Sequence, residues 1–307
     1  MSIGDRVSNS WQREGLSGLV FRTAVYLLRR IAWNTDAWSK KLDASANRRS
    51  LLKENAELLR RNEAFRGLHA GRRCFVIGNG PSLKQQDLSR LADEITFVTN
   101  SFHLHPAVGP HWQPTYYCLS DPGYFQGPES VPELKEIADR VTTSLFFVPH
   151  HARRFLEETR ALPEDRTYYV AFNEELSSEN VGKFDLTTTT PGVQTVVQLA
   201  ILIAMFMQCS PIYLLGMDHD WLAHGGKHLN FYSNENPEDQ PAGNLPGWGY
   251  HAMMDAVTIM WRVYELQSLM AREAGVEIIN VTRGGFLDVF PRADYEKVIE
   301  DKLVASF

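Results

Sequence analysis

Cysteine is scarce in these 307 residues: Cys74, Cys118 and Cys209 stand far apart, and two of them lie inside apolar runs. That spacing excludes a disulfide framework and a zinc knuckle, and it fits a reducing compartment. No stretch reaches the roughly 18 uninterrupted apolar residues of a membrane-spanning helix. The start, Met1-Ser-Ile-Gly-Asp-Arg6, lacks the apolar core and small-residue cleavage site of a secretory signal. A cytoplasmic protein is therefore expected. Positive charge is scarce beyond the first quarter of the chain: residues 1–73 hold 15 Lys and Arg against 7 Asp and Glu, a balance of +8, and the remainder holds 16 against 30, or −14. An acidic body is a poor match for a polyanion, whose affinity comes largely from Lys and Arg on phosphates, so nucleic-acid binding is set aside.

What is present is an ordinary globular composition, 44% hydrophobic and 22% charged, long enough for one catalytic domain with an extension. Residues 1–70 read as a basic helical extension and 71–307 as the catalytic domain. Within the extension, residues 15–41 interleave Leu16, Leu19, Val20, Ile31, Trp33 and Trp38 with Arg22, Arg29, Arg30, Lys40 and Lys41. Such a basic amphipathic helix suits the headgroup region of an anionic membrane, which would make the protein peripheral on the inner face. It suits equally well a helix packed on the body or on a second copy in a homo-oligomer. Residues 47–66 read as a charged helical connector.

From Arg72 onward, short apolar runs alternate with helical patterns, which predicts an α/β fold: a Rossmann-like, mainly parallel sheet with helices on both faces. The expected strands are Cys74–Ile77, Ile95–Thr99, Thr115–Leu119, Leu145–Val148, Thr167–Val170, Ile212–Leu215 and Glu277–Asn280. Helices are expected around Leu83–Leu91, over Gln194–Met207, apolar nearly all round and hence buried, and from about Met253 to Ala274. No internal repeat is visible.

Ligands of open parallel sheets bind beyond the carboxyl ends of the strands, where strand order reverses. The residues expected there are Gly78, Asn79, Gly80, Pro81 and Ser82 after the first strand, Thr99-Asn100 at the end of the second, Ser120-Asp121-Pro122 after the third, and Gly216-Met217-Asp218-His219-Asp220 after a late one. Small residues let backbone N–H groups approach a phosphate, and a helix start adds its positive end. The turn is neither the dinucleotide fingerprint nor a P-loop, and it reads alternatively as a plain strand-to-helix turn. A second candidate for an anion, or simply for a helix cap, is Thr187-Thr-Thr-Thr190-Pro191-Gly192. His219, His224, His228 and His251 cluster with Asp218, Asp220 and Lys227, but their spacings match no compact metal pattern. Residues 230–249 read as a long loop of the kind that forms lids, with His251 at its end as a candidate general base.

Cys74-Phe-Val-Ile-Gly-Asn-Gly-Pro-Ser-Leu83, Pro114-Thr-Tyr-Tyr117, Leu214-Leu-Gly-Met-Asp-His219, Gly225-Gly-Lys-His228 and Val289-Phe-Pro-Arg292 together resemble the MptE-like superfamily. That superfamily includes archaeal 6-hydroxymethylpterin pyrophosphokinases and bacterial motility accessory factors. The Gly-Asn-Gly-Pro-Ser-Leu start also resembles the bacterial sialyltransferases that use CMP-sialic acid. The sialyltransferase resemblance implies inverting, metal-independent transfer from a CMP-sugar, with Asn79 and Asn100 on the nucleotide and His251 deprotonating the acceptor. The two tyrosines which that family places on the departing phosphate are missing here, where Asp220 and His228 stand instead. The pyrophosphokinase resemblance implies ATP and a magnesium ion, with Asp121 and Asp218 as candidate ligands.

The sequence thus supports a glycosyltransferase using a nucleotide-activated sugar, of CMP-nonulosonate type, in surface-glycan or flagellin modification. It would need no cofactor, would act on a glycan or protein acceptor, and would carry His251, His228 and Asp218 as catalytic residues. Thr190, Gly192, Gly216 and His219 join the turn residues as nucleotide contacts. A magnesium-dependent pyrophosphokinase and a non-catalytic nucleotide-binding or scaffold protein are the alternatives.

Overall fold

Cys74–Ile77 (β1) is buried on both faces, as a four-residue apolar run in the middle of a parallel sheet must be. The computed structural model describes residues 45–178, 180–182, 184–224, 230–232 and 249–305. Among the described residues seven further strands join β1 in the sheet: Ile95–Thr99 (β2), Tyr116–Cys118 (β3), Leu145–Pro149 (β4), Thr167–Glu175 (β5), Thr189–Gly192 (β6), Ile212–Leu215 (β7) and Ile278–Asn280 (β8). All pair in parallel, in the order β6-β5-β4-β3-β2-β1-β7-β8. The chain therefore builds outward from β1 through β2 to β6, then returns to lay β7 on the other side of β1. The order reverses between β1 and β7, which opens the crevice at their carboxyl ends.

Alternation along the strands divides the core into two layers. Phe75, Ile77, Val98, Tyr117, Phe146 and Val148 face one side, covered by helices Val131–Arg140 (α2), Arg153–Thr159 (α3) and Tyr295–Ala305 (α6). Val76, Phe97, Tyr116, Phe147 and Leu214 face the other, covered by Val196–Phe206 (α4) and Tyr250–Ala274 (α5). Helix α4 is wedged between sheet and α5, so it is apolar all round. A capping box starts it: Thr195 Oγ1 accepts from Gln198 N, and Gln198 Oε1 accepts from Thr195 N. Two buried glutamines then tie it to α5, Gln198 Nε2 donating to Met260 O at 2.8 Å and Gln267 Nε2 to Gln198 O at 2.7 Å.

Three expectations from sequence need correction. The helix placed around Leu83–Leu91 is two short 3-10 turns, Pro81–Gln85 and Leu88–Leu91. Thr190 and Gly192 do not start a helix; they lie in β6, an edge strand that tolerates Pro191 because one side has no partner strand. β6 pairs only with the second half of β5, past the residues of β5 that pair with β4. The chain divides into compact units at Met1–Ser50 and Leu51–Phe307. Of the segment 47–66 expected as a connector, residues 51–66 belong to the second unit: helix 45–60 (α1) ends on fully buried Leu59, and Phe65 sets its ring edge-on to Tyr168 and Phe147 at 4.6 and 5.1 Å. Their charged residues occupy the solvated side while the few apolar ones enter the core. The amphipathic segment 15–41 and most of the expected lid lie outside the described residues.

Candidate functional site

At the switch point, β1 and β7 continue side by side past their last ladder bonds. Gly78 N donates to Leu215 O at 2.8 Å and Gly80 N to Gly216 O at 3.0 Å. This approach leaves no room for side chains. A Cβ on Gly78 would stand 2.7 Å from Gly216 O, and one on Gly80 would stand 1.8 Å from Asp218 Oδ2. Gly216 turns the chain with φ +63, a left-handed conformation that costs a glycine little.

Asp218 enters the space left by Gly80. Its Oδ1 accepts from Ser82 N at 3.2 Å and its Oδ2 from Ser82 Oγ at 2.7 Å. The side chain sits in a residue only 7% exposed, and this burial pushes the carboxyl above its ordinary range; the Ser82 bonds oppose the shift and the neighbouring Asp220 carboxylate adds to it. The expectation that the turn offers its donors to a ligand phosphate is therefore revised: the anion on Ser82 is the protein's own carboxylate. The element after Gly80 is also only a five-residue 3-10 turn, with little of an α-helix's dipole. A loop from β8 fixes Asp218 from behind. Phe286 N donates to Asp218 O at 2.8 Å, and Arg292 donates to the carbonyls of Leu287, Thr282 and Gly284, which holds that loop in shape.

Beside this lock, β1 and β2 present acceptors that accept from nothing among the described residues. Asn79 Nδ2 donates to Thr99 O at 3.0 Å, which fixes the amide and leaves Oδ1 buried without a partner. Thr99 Oγ1 and Asn100 Oδ1 are buried and unpartnered as well. Asn100 holds φ +48, a left-handed conformation that asparagine tolerates, and its carbonyl accepts from the Tyr117 hydroxyl. Over these ends runs the described part of the long loop: Phe231 N donates to Asn79 O at 2.9 Å, and the Phe231 ring enters a recess against Phe102 and His105. Burial lowers the pKa of His105 to about 4, so it lines the recess as a neutral ring at neutral pH. Phe231 and Tyr232 were not identified from the sequence, whereas Thr99 was expected at the strand end together with Asn100.

The remaining candidates divide. Ser120 is half-buried at the end of β3, and Asp121 is exposed, capping Gly123 N at 2.9 Å. Asp121 and Asp218 are three strand spacings apart, roughly 14 Å, and both carboxylates are engaged, so they do not form one magnesium site. His219, at φ +47, turns toward α5: its Nε2 lies 2.8 Å from Tyr264 Oη, amid Trp221 and Trp261. Thr190 is buried with Oγ1 unpartnered, but β6 is five strand spacings from β1, roughly 24 Å along the sheet, so it and Gly192 are not at the crevice. His251 is not at the crevice either. Its side chain is 92% exposed beside Asp255 at 3.2 Å, thirteen residues and about 20 Å along α5 from Tyr264. His228 lies outside the described residues. His224 was noted only as a member of the histidine-rich stretch, and Asp220 also as a residue after the late strand standing where the sialyltransferases have a phosphate tyrosine; the two form a pair, Nε2 to Oδ2 3.1 Å.

No protein-family model matches the sequence, and no curated protein matches it. Similar chain courses occur in solved structures. The sialyltransferase CstII from Campylobacter jejuni in complex with the substrate analogue CMP-3FNeuAc is 12% identical over 71% of this chain and 85% of that one, with a TM-score of 0.41. CstII in complex with a trisaccharide acceptor and CMP is 13% identical over 72% and 85%, with a TM-score of 0.42. The monofunctional alpha-2,3-sialyltransferase Cst-I from Campylobacter jejuni is 16% identical over 72% and 80%, with a TM-score of 0.44. At this level of likeness they say nothing of the chemistry of this site.

Proposed function

We propose that this chain is a transferase that takes a sugar from a nucleotide donor, without a metal, and passes it to a hydroxyl acceptor. The observation that carries the reading is the group of three unpartnered acceptors, Asn79 Oδ1, Thr99 Oγ1 and Asn100 Oδ1, at the carboxyl ends of β1 and β2 beside the switch point. Buried acceptors without donors cost about 1–3 kcal/mol each, and a ligand bearing several O–H and N–H groups relieves that cost. A nucleoside, with ribose hydroxyls and an exocyclic amine, is such a ligand; an isolated phosphate is not. The sequence resemblance around Gly78–Leu83 favours a CMP-activated nonulosonic acid as donor.

In this reading His251, oriented by Asp255, takes the proton of the acceptor hydroxyl, which requires the exposed start of α5 to close over the carboxyl edge of the sheet. Asp218 organises the turn and stays out of the reaction. The acceptor is a surface glycan or a flagellin, met at the inner face of the membrane through residues 15–41. Among the described residues no helix is long and apolar enough to cross a membrane.

Calorimetry with CMP, CDP, UDP, ADP and ATP, each with magnesium or with a chelator, tests the reading. CMP is expected to bind equally well in both conditions. Binding of ATP alone, dependent on magnesium, would replace this reading with the pyrophosphokinase, and no binding of any nucleotide would leave the scaffold.

A further inference from the structure

The crevice has a charge problem. Asp218 and Asp220 both stand at the end of β7, near enough for the Asp220 carboxylate to disfavour ionisation of Asp218. A phosphate that breaks from its sugar there gains negative charge beside two carboxylates, and the two Ser82 donors are already taken. Some group must offer a proton on that side.

The Asp220–His224 pair has the geometry for it. Residues 220–224 are wound into consecutive turns, Ala223 N donating to Asp220 O at 2.9 Å and His224 N to Trp221 O at 3.1 Å. This winding brings His224 Nε2 to 3.1 Å from Asp220 Oδ2, with the side chains 37% and 18% exposed. The carboxylate fixes the ring and leaves Nδ1 as the nitrogen open to a ligand. The second carboxylate oxygen, Asp220 Oδ1, is buried with no partner among the described residues, so packing alone does not account for the pair. An oriented imidazole beside a carboxylate is the arrangement of a proton donor or acceptor in catalysis.

We propose that His224, positioned by Asp220, donates a proton to the departing phosphate of the nucleotide. This rests on the transferase reading above. The bond between the anomeric carbon and the phosphate oxygen breaks, its electron pair goes to that oxygen, and the His224 Nδ1 proton follows. The acceptor oxygen bonds to the anomeric carbon, and the proton it releases restores the balance through solvent. His224 is then a catalytic residue and Asp220 a positioning residue.

The test measures hydrolysis of CMP-sialic acid as well as transfer. His224→Ala is expected to slow both by about 100-fold or more, the usual contribution of a general acid, while CMP still binds and added imidazole restores part of both rates. Asp220→Asn is expected to slow both less and to gain little from imidazole, because its own ring remains. Wild-type rates in His224→Ala overturn the proposal, as does a loss confined to transfer, or a loss with a lowered melting point and no imidazole rescue. A wild-type chain that neither binds CMP nor breaks CMP-sialic acid overturns the transferase reading and this role with it. Wild-type activity shared equally by the variant overturns this role alone.

Discussion

Gly80 and Asp218 share one place: a Cβ on Gly80 would stand 1.8 Å from Oδ2 and 2.6 Å from Cγ of Asp218. The glycine of the first turn is required by a carboxylate arriving from a strand more than a hundred residues later. Gly80→Ala should therefore destabilise the protein by about 3 kcal/mol, as overpacking of a closed site does. Asp218→Ala removes the nearer obstruction and leaves Gly216 O at 2.7 Å, so the two costs should fall short of additivity in a double-mutant cycle while part of the Gly80→Ala cost remains. Urea titrations of the four proteins measure this; strict additivity would mean that the two residues do not compete.

Asp218 also gives a pH signature. Its folded-state pKa is raised, chiefly by burial, so the native state holds the proton more tightly than the unfolded chain. This contribution is full below the ordinary carboxylate value of about 4 and is lost as pH rises through the folded value. Asp218→Asn cannot titrate. Its stability deficit relative to wild type should shrink as pH rises through that window, read from urea midpoints at successive pH values.

Asn100→Gly, which keeps the left-handed φ +48 open, should leave the melting point nearly unchanged while weakening CMP about tenfold, the equivalent of about 1.4 kcal/mol for a lost acceptor. Asn79→Ala should weaken CMP similarly and also lower stability, because Asn79 bridges β1 to the Thr99 carbonyl. Calorimetry and thermal melts separate the two; undiminished CMP affinity in both would move the nucleotide elsewhere.

Arg292 donates to three carbonyls of the loop that carries Phe286 onto the Asp218 backbone. Arg292→Ala should cost about 2 kcal/mol, because charge-assisted bonds are lost and the carbonyl of buried Thr282 loses this donor, while Leu287 O keeps Asn280 Nδ2 at 2.9 Å. Arg292→Lys should recover part of this, since one ammonium cannot reproduce the fork of a guanidinium. Thermal unfolding of the pair checks the order.

His251 has a side chain 92% exposed, so His251→Ala should shift the unfolding free energy by no more than about 0.5 kcal/mol. Transfer should nevertheless fall about 100-fold if the start of α5 closes on the crevice, with hydrolysis of the donor less affected. Retained transfer would remove the histidine from the reaction.

The sequence by itself determined the sheet. Runs such as Cys74–Ile77 and Ile212–Leu215 admit little but buried parallel strands, and the glycines after them mark where the chain has to turn closely. It also marked Asn79 and Asn100 as polar residues at strand ends. It did not reveal β6, because an edge strand need not alternate apolar and polar residues and can carry Pro191. Nor could it show that Ser82 is already occupied, since that depends on β7 lying beside β1 and delivering Asp218 to a turn 136 residues earlier. Tertiary structure alone decided how the histidines are partnered. His224 meets Asp220 because the chain winds tightly after β7, whereas His251 is carried away along α5 by the rise of 1.5 Å per residue, a separation that neighbouring positions in the sequence do not express.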